Sequence, residues 1–166
     1  MPAGAIGHDT NAASTRYTTE NDLREFDLPT GSLRTGSNVI AVEVHNRSLS
    51  SSDVGFDLSL VGRVDGGGGV EPPGEVIALG ASWRYFDQGA AADGWRTLGF
   101  DDDGWATGTG EFGFGDGDES TLVSRDQRTS YFRTTFDLND PGVVTELHAM
   151  LRADDGAVVY LNGTEV

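Results

Sequence analysis

Seven carboxylates fall between Asp101 and Glu119, namely Asp101, Asp102, Asp103, Glu111, Asp116, Asp118 and Glu119, with no basic residue among them. Hard oxygen ligands grouped in this way suit Ca²⁺. Asp116-Gly117-Asp118-Glu119-Ser120 reads like the opening of a calcium loop, but it lacks the mid-loop glycine and the closing glutamate of an EF-hand. A structural calcium held by Asp101, Asp102, Asp116 and Asp118 is one expectation. Turn aspartates that cap their own backbone in water are the other.

A second chemistry is sugar stacking. Trp83, Trp95 and Trp105 lie among aspartates, arginines and glycines, and exposed indole faces beside such hydrogen bonders form carbohydrate platforms. A glycine-rich sandwich also needs large side chains to fill its interior, so these tryptophans serve equally as core. Paired carboxylates about 5 Å or about 6.5–9.5 Å apart can hydrolyse glycosides, yet with 27 acidic residues such pairs arise by chance. His8, His45 and His148 stand far apart, without the spacing of a zinc site. Ser48 to Ser52 lacks the glycine frame of a nucleophile elbow. Asn46-Arg47-Ser48 and Asn162-Gly163-Thr164 match the glycosylation sequon, and the second also reads as a turn. No catalytic motif emerges.

The elements that must position these residues are strands. Glycine supplies 24 of 166 residues, between short runs rich in Val, Thr, Phe and Tyr, which indicates an all-β chain with many tight turns. Val39 to His45 and Val54 to Val61 are the firmest strands of the first part, with Phe56, Leu58 and Leu60 on one face. Thr15 to Thr19 reads as a short strand, Leu23 to Leu28 as an extended segment or a helical turn, and Gly36-Ser37-Asn38 as a turn. In the second part Val76 to Leu79 starts a strand and Tyr131 to Phe136 alternates as one. Val143 to Arg152 fits helix or strand, and its flanking Pro141-Gly142 and Asp154-Asp155-Gly156 favour strand. Ala157 to Leu161 is a strand, and Asn162-Gly163 is the strongest short hairpin signal in the chain. The return strand has only Thr164, Glu165 and Val166, so a strand supplied from elsewhere, or a longer parent molecule, is expected.

Asp65 to Glu75, with four glycines and a Pro pair, reads as a linker between residues 1–64 and 75–166. Twelve of the fifteen aromatics follow it. Each part has too few strands for a two-layer sandwich alone, and together they supply about eight, the count of a jelly roll.

The chain has no cysteine, which excludes disulfides and thiolate sites, and all 11 of its basic residues are arginine, which excludes Schiff-base lysines and a P-loop. The net charge of −16 argues against nucleic acid and against anionic membranes. No apolar run is long enough to span a bilayer. Such a composition suits an extracellular or cell-surface protein whose export signal lies outside this chain. GC-rich codons are an alternative explanation of the same composition.

Trp83-Arg84-Tyr85-Phe86-Asp87, Trp95, Phe100-Asp101-Asp102 with Trp105, Phe112-Gly113-Phe114-Gly115-Asp116-Gly117, Tyr131-Phe132-Arg133 and Asp154 to Gly163 resemble a galactose-binding-like jelly-roll module of large secreted bacterial proteins. In that family the module continues through segments similar to Met1 to Ile6, Gly36 to His45 and Ser52 to Leu58. The resemblance covers nearly the whole chain with its halves in swapped order: residues 1–64 resemble the back half and 75–166 the front half. It implies an antiparallel β-sandwich assembled from two half-modules, within one chain or between neighbours. A circular permutant, a window across two tandem modules and a head-to-tail fibre all fit. The expected partners are neighbouring copies or repeats. The expected junction residues are Val39, Ile40, Val42, Val44, Phe56, Leu58, Tyr131, Phe132, Phe136, Val158 and Tyr160. A carbohydrate-binding module beside a secreted hydrolase, with polysaccharide as partner, is the alternative function.

Overall fold

Strand-forming runs dominate the chain, and the computed structural model, which describes residues 6–12, 23–66, 69–70 and 74–166, is almost entirely β. In chain order the strands are β1 (Arg24–Asp27), β2 (Gly36–His45), β3 (Val54–Gly66), β4 (Gly69–Val70), β5 (Gly74–Ile77), β6 (Ser82–Phe86), β7 (Ala106–Thr109), β8 (Phe112–Phe114), β9 (Thr121–Leu122), β10 (Thr129–Leu138), β11 (Val144–Asp154), β12 (Gly156–Leu161) and β13 (Thr164–Glu165). They form two sheets packed face to face as an antiparallel-rich sandwich.

Sheet A runs β1-β11-β3-β8-β9, with β4 and β5 also paired to the long β3. Sheet B runs β13-β12-β2-β10-β6-β7. Both are antiparallel apart from the β8–β9 pair. In each sheet a central strand comes from the first part of the chain and its neighbours from the second. β2 lies between β10 and β12, with Val42 opposite both Phe132 and Val159. β3 lies between β11 on one side and β5 and β8 on the other. The two parts therefore complete one sandwich inside a single chain.

Period-two alternation sends Ile40, Val42, Val44, Phe132, Phe136, Val159 and Leu161 of sheet B toward Phe56, Leu58, Leu60, Leu147, Ala149, Leu151 and Phe112 of sheet A. Phe56 stacks on Phe132 with ring centroids 4.2 Å apart and meets Trp83 edge-on at 5.2 Å. Val39 is likewise buried. Thus Val39, Ile40, Val42, Val44, Phe56, Leu58, Phe132 and Phe136, expected at a junction of half-modules, lie inside this one chain.

Two sequence expectations change. The stretch taken as a linker is not a free tether, because Asp65 and Gly66 of β3 pair with Val70 and Gly69 of β4, and Gly62 pairs with Gly74 of β5. Gly36, Ser37 and Asn38 are not a turn but the start of β2, opposite Leu138, Asp137 and Phe136. Gly36 takes φ of 80°, which a glycine adopts without steric cost, and this admits the chain into the strand. Val144 to Asp154 is a strand, in keeping with its Pro-Gly and Asp-Asp-Gly borders. The short strand expected at Thr15 to Thr19 lies outside the described residues.

The Asn162-Gly163 hairpin forms as its residue types demand, with φ of 52° and 89°. Asn162 also ties the turn to β2. Its Oδ1 accepts from the Val39 N–H at 3.0 Å, and its Nδ2 donates to the Ser32 carbonyl at 2.7 Å and to Asn38 Oδ1 at 2.8 Å.

Candidate functional site

The outward face of sheet B groups polar and aromatic side chains in three cross-strand rungs. Gly156, His45 and Thr129 form the first, Val158, Glu43 and Tyr131 the second, and Tyr160, Ala41 and Arg133 the third. A sheet face bearing tyrosines and alanine beside charged groups needs a cover. The segment between β6 and β7 provides it, laying Trp95 and Trp105 over Ala41, Tyr131, Val158 and Tyr160, with Phe86 and Phe100 at the margin. Trp95 meets Tyr131 edge-on at 4.9 Å and Tyr160 at 5.7 Å.

Arg133 fastens this cover. It is buried, donates to the carbonyls of Phe100 at 3.2 Å and Thr97 at 3.0 Å, and places Nε 3.2 Å from Asp102 Oδ2. Burial holds its guanidinium below the usual arginine range, and Asp102 works against that shift. Arg96 lies over the Tyr160 ring at 4.7 Å.

Glu43 accepts the Tyr160 hydroxyl at 2.5 Å and faces His45 Nε2 at 3.5 Å. Burial foremost, with Glu43 second, pushes the Tyr131 phenol up to about 12. The same two causes, with the Glu43 hydrogen bond added, push Tyr160 further in that direction. A hydroxyl, an imidazole and a carboxylate thus stand in a row, with Thr129 Oγ1 3.0 Å from His45 Nδ1. The geometry is not that of an acyl-transfer relay. The Thr129 proton goes to the His8 carbonyl at 2.6 Å, Nδ1 also faces the Thr10 carbonyl at 2.8 Å, and Thr129 and His45 are both 0% exposed. A nucleophile without access to substrate holds structure together instead.

The acidic residues separate. Asp102 belongs to the Arg133 contact, and Asp101 accepts the Asp103 N–H at 3.1 Å, a turn aspartate serving its own backbone. Asp116 and Asp118 lie in the β8–β9 connection, where Glu119 accepts the N–H groups of Asp116 and Gly117. Among the described residues no three His, Asp or Glu side chains converge as metal ligands would.

Trp83, Trp95 and Trp105, expected as a sugar platform or as core, are 1%, 6% and 9% exposed. Stacking needs an open ring face, and these faces are spent on the core and on the outer layer. Of the sequons, Asn46 is buried and Asn162 is committed to its turn.

On the opposite face of the molecule Asp57, buried in β3, accepts N–H groups from Leu58 at 2.8 Å and Gly80 at 2.9 Å, and burial raises its carboxyl. Glu111 beside it accepts from Arg152, and burial raises it against that arginine. Two clefts open between the sheets. One of about 650 Å³ lies where Phe26 and Leu151 approach Val159 and Val166, and one of about 670 Å³ lies between Val64, Val76 and Val144 and the β10 residues Phe136 and Leu138.

Sequence reasoning missed Glu43, His45 and Thr129 as a group. The available signal was the continuous apolar run Val158 to Leu161 beside Ala41, since a strand apolar on both faces is covered on both. No protein-family model, no curated protein and no solved structure matches this chain.

Proposed function

We propose that the chain is a non-catalytic structural module of an extracellular fibre or surface array, in which half-modules complement one another by β-strand addition. The observation that carries this reading is the interleaving of the two parts. β2 and β3 come from residues before the Gly-rich stretch, yet each is flanked on both sides by strands from after it. Either part alone leaves unpaired strand edges and an uncovered apolar face, which natural sheets avoid. The same pairing can be satisfied in one chain or between copies, and a non-closing exchange propagates into a fibre. The resemblance to jelly-roll modules of secreted multidomain proteins and the lysine-free, acidic composition support the extracellular setting.

Light scattering and electron microscopy of the full chain over a wide concentration range test this. Growing polymers are the expected outcome. A chain that stays monomeric and folded at the highest attainable concentration overturns the fibre reading.

A further inference from the structure

Asn162-Gly163 is the single Asn-Gly pair of the chain, and its residue types set up a reaction as well as a turn. Glycine has no Cβ to shield its peptide nitrogen, so the Gly163 nitrogen can reach the side-chain carbonyl carbon of Asn162. Attack forms the bond from the Gly163 nitrogen to Asn162 Cγ and breaks the Cγ–Nδ2 bond. Nδ2 leaves as ammonia, taking the Gly163 amide proton with it, and a cyclic succinimide remains. Water then opens the ring. Opening on one side gives aspartate. Opening on the other gives isoaspartate, whose main chain runs through the former side-chain carbon.

The folded chain holds the amide away from this reaction. Asn162 Oδ1 accepts the Val39 N–H at 3.0 Å, and Nδ2 donates to the Ser32 carbonyl at 2.7 Å and to Asn38 Oδ1 at 2.8 Å. The main chain is held as well, because the Asn162 N–H donates to the Val39 carbonyl at 2.9 Å. Closing the ring turns the side-chain amide back onto its own main chain and off these partners, so the reaction needs the turn to open.

The products do not fit the place the asparagine leaves. An aspartate has no donor where Nδ2 stood, and sets a carboxylate oxygen against the Ser32 carbonyl and Asn38 Oδ1. Asn38 cannot relieve this by turning its amide over. It is 0% exposed, its Oδ1 also accepts the Arg34 N–H at 2.8 Å, and its Nδ2 donates to the carbonyls of Arg34 at 2.8 Å and Gly36 at 3.1 Å. Isoaspartate lengthens the main chain inside the turn, and turn length sets the register of Leu161 against Thr164 and of Tyr160 against Glu165.

We propose that Asn162 is a modification site gated by the fold. Its side-chain amide is lost through the succinimide only while the β12–β13 turn is open, and the product keeps the turn from closing as before. The substrate is the chain itself and water is the co-reactant. The hairpin thereby marks, in one direction, chains that have been open, whether or not copies assemble.

The full chain is incubated at mildly alkaline pH, once folded and once in urea at the same pH and temperature, and is then cleaved after arginine. The peptide of residues 153–166 contains Asn162 and no other asparagine, so mass spectrometry of that peptide reads this site. Aspartate and isoaspartate are expected to accumulate in urea. Giving up the hydrogen bonds of the folded turn is expected to slow conversion by about tenfold or more. Gly163→Ala, measured in urea where folding plays no part, is expected to convert more slowly because its Cβ shields the nitrogen. Converted chains returned to buffer are expected to unfold at lower urea than unconverted ones, or to fail to refold. Equal rates in folded and unfolded chains, no conversion in urea, or an unchanged unfolding midpoint after conversion overturns the proposal.

Discussion

Tyr131 and Tyr160 place two phenols beneath the indole layer of sheet B, and their titration is coupled to folding. In the unfolded chain a tyrosine ionises near pH 10. Tyr131 keeps its proton to about 12 in the folded state, chiefly because burial disfavours the phenolate, and Tyr160 is shifted the same way. The folded state therefore binds more protons than the unfolded state as pH climbs from 10 toward 12. Stability falls across that window, by up to about 1.4 kcal/mol per pH unit for each tyrosine. Tyrosinate absorbance and circular dichroism followed together should change in one step above pH 10, and Tyr131→Phe should move that step to higher pH. Ionisation of Tyr131 near pH 10 with the fold intact would refute the coupling. The acid side has the opposite actors but the same logic. Burial raises Asp57, so the folded state holds its proton longer than the unfolded state, and Asp57 favours folding most at low pH and loses that contribution as pH rises through its raised value.

Among the elements, the β12–β13 hairpin is the most sharply specified. Asn162 supplies both the left-handed turn geometry and the acceptor for a buried β2 amide. Asn162→Ala strands the Val39 N–H and is expected to cost about 2–3 kcal/mol in denaturant unfolding. Gly163 holds φ at 89°, and an added Cβ would sit 3.3 Å from the Thr97 methyl, so Gly163→Ala should cost about 1 kcal/mol. A larger loss for Gly163→Ala than for Asn162→Ala would show that turn strain, not the buried amide, dominates. This hairpin was legible because its turn type depends on two adjacent residues. β3 and β10 were legible because apolar alternation marks a strand, and β2 and β12 because their short runs are rich in β-branched and aromatic residues. The outer layer over sheet B was not, since its partners are long-range: Glu43 and His45 look like solvent-facing positions of β2, yet Glu43 accepts the Tyr160 hydroxyl and the Thr10 carbonyl faces His45. The acidic run divides in the fold for a related reason. Sequence proximity put Asp101, Asp102, Asp116 and Asp118 together, while Arg133, which claims Asp102, lies on a distant strand.

At the scale of the whole molecule, the two parts of the chain are interleaved in both sheets. Residues 1–64 contribute the central strand of each sheet, and residues 75–166 contribute the neighbours of both. Expressed apart, neither is expected to give a cooperative melt, and mixing the two should restore one, read by differential scanning calorimetry and near-ultraviolet dichroism. A sharp transition from either part alone would overturn the interdependence.

The interleaving also sets a timetable for biosynthesis. β2 leaves the ribosome with Phe132 and Val159, its two cross-strand neighbours at Val42, still untranslated, so its apolar side chains must wait through more than half the chain before they are covered. At about 5–20 residues per second the delay lasts on the order of several seconds. During that interval a nascent chain is open to capture by a holding chaperone, or by the later strands of another molecule on the same message.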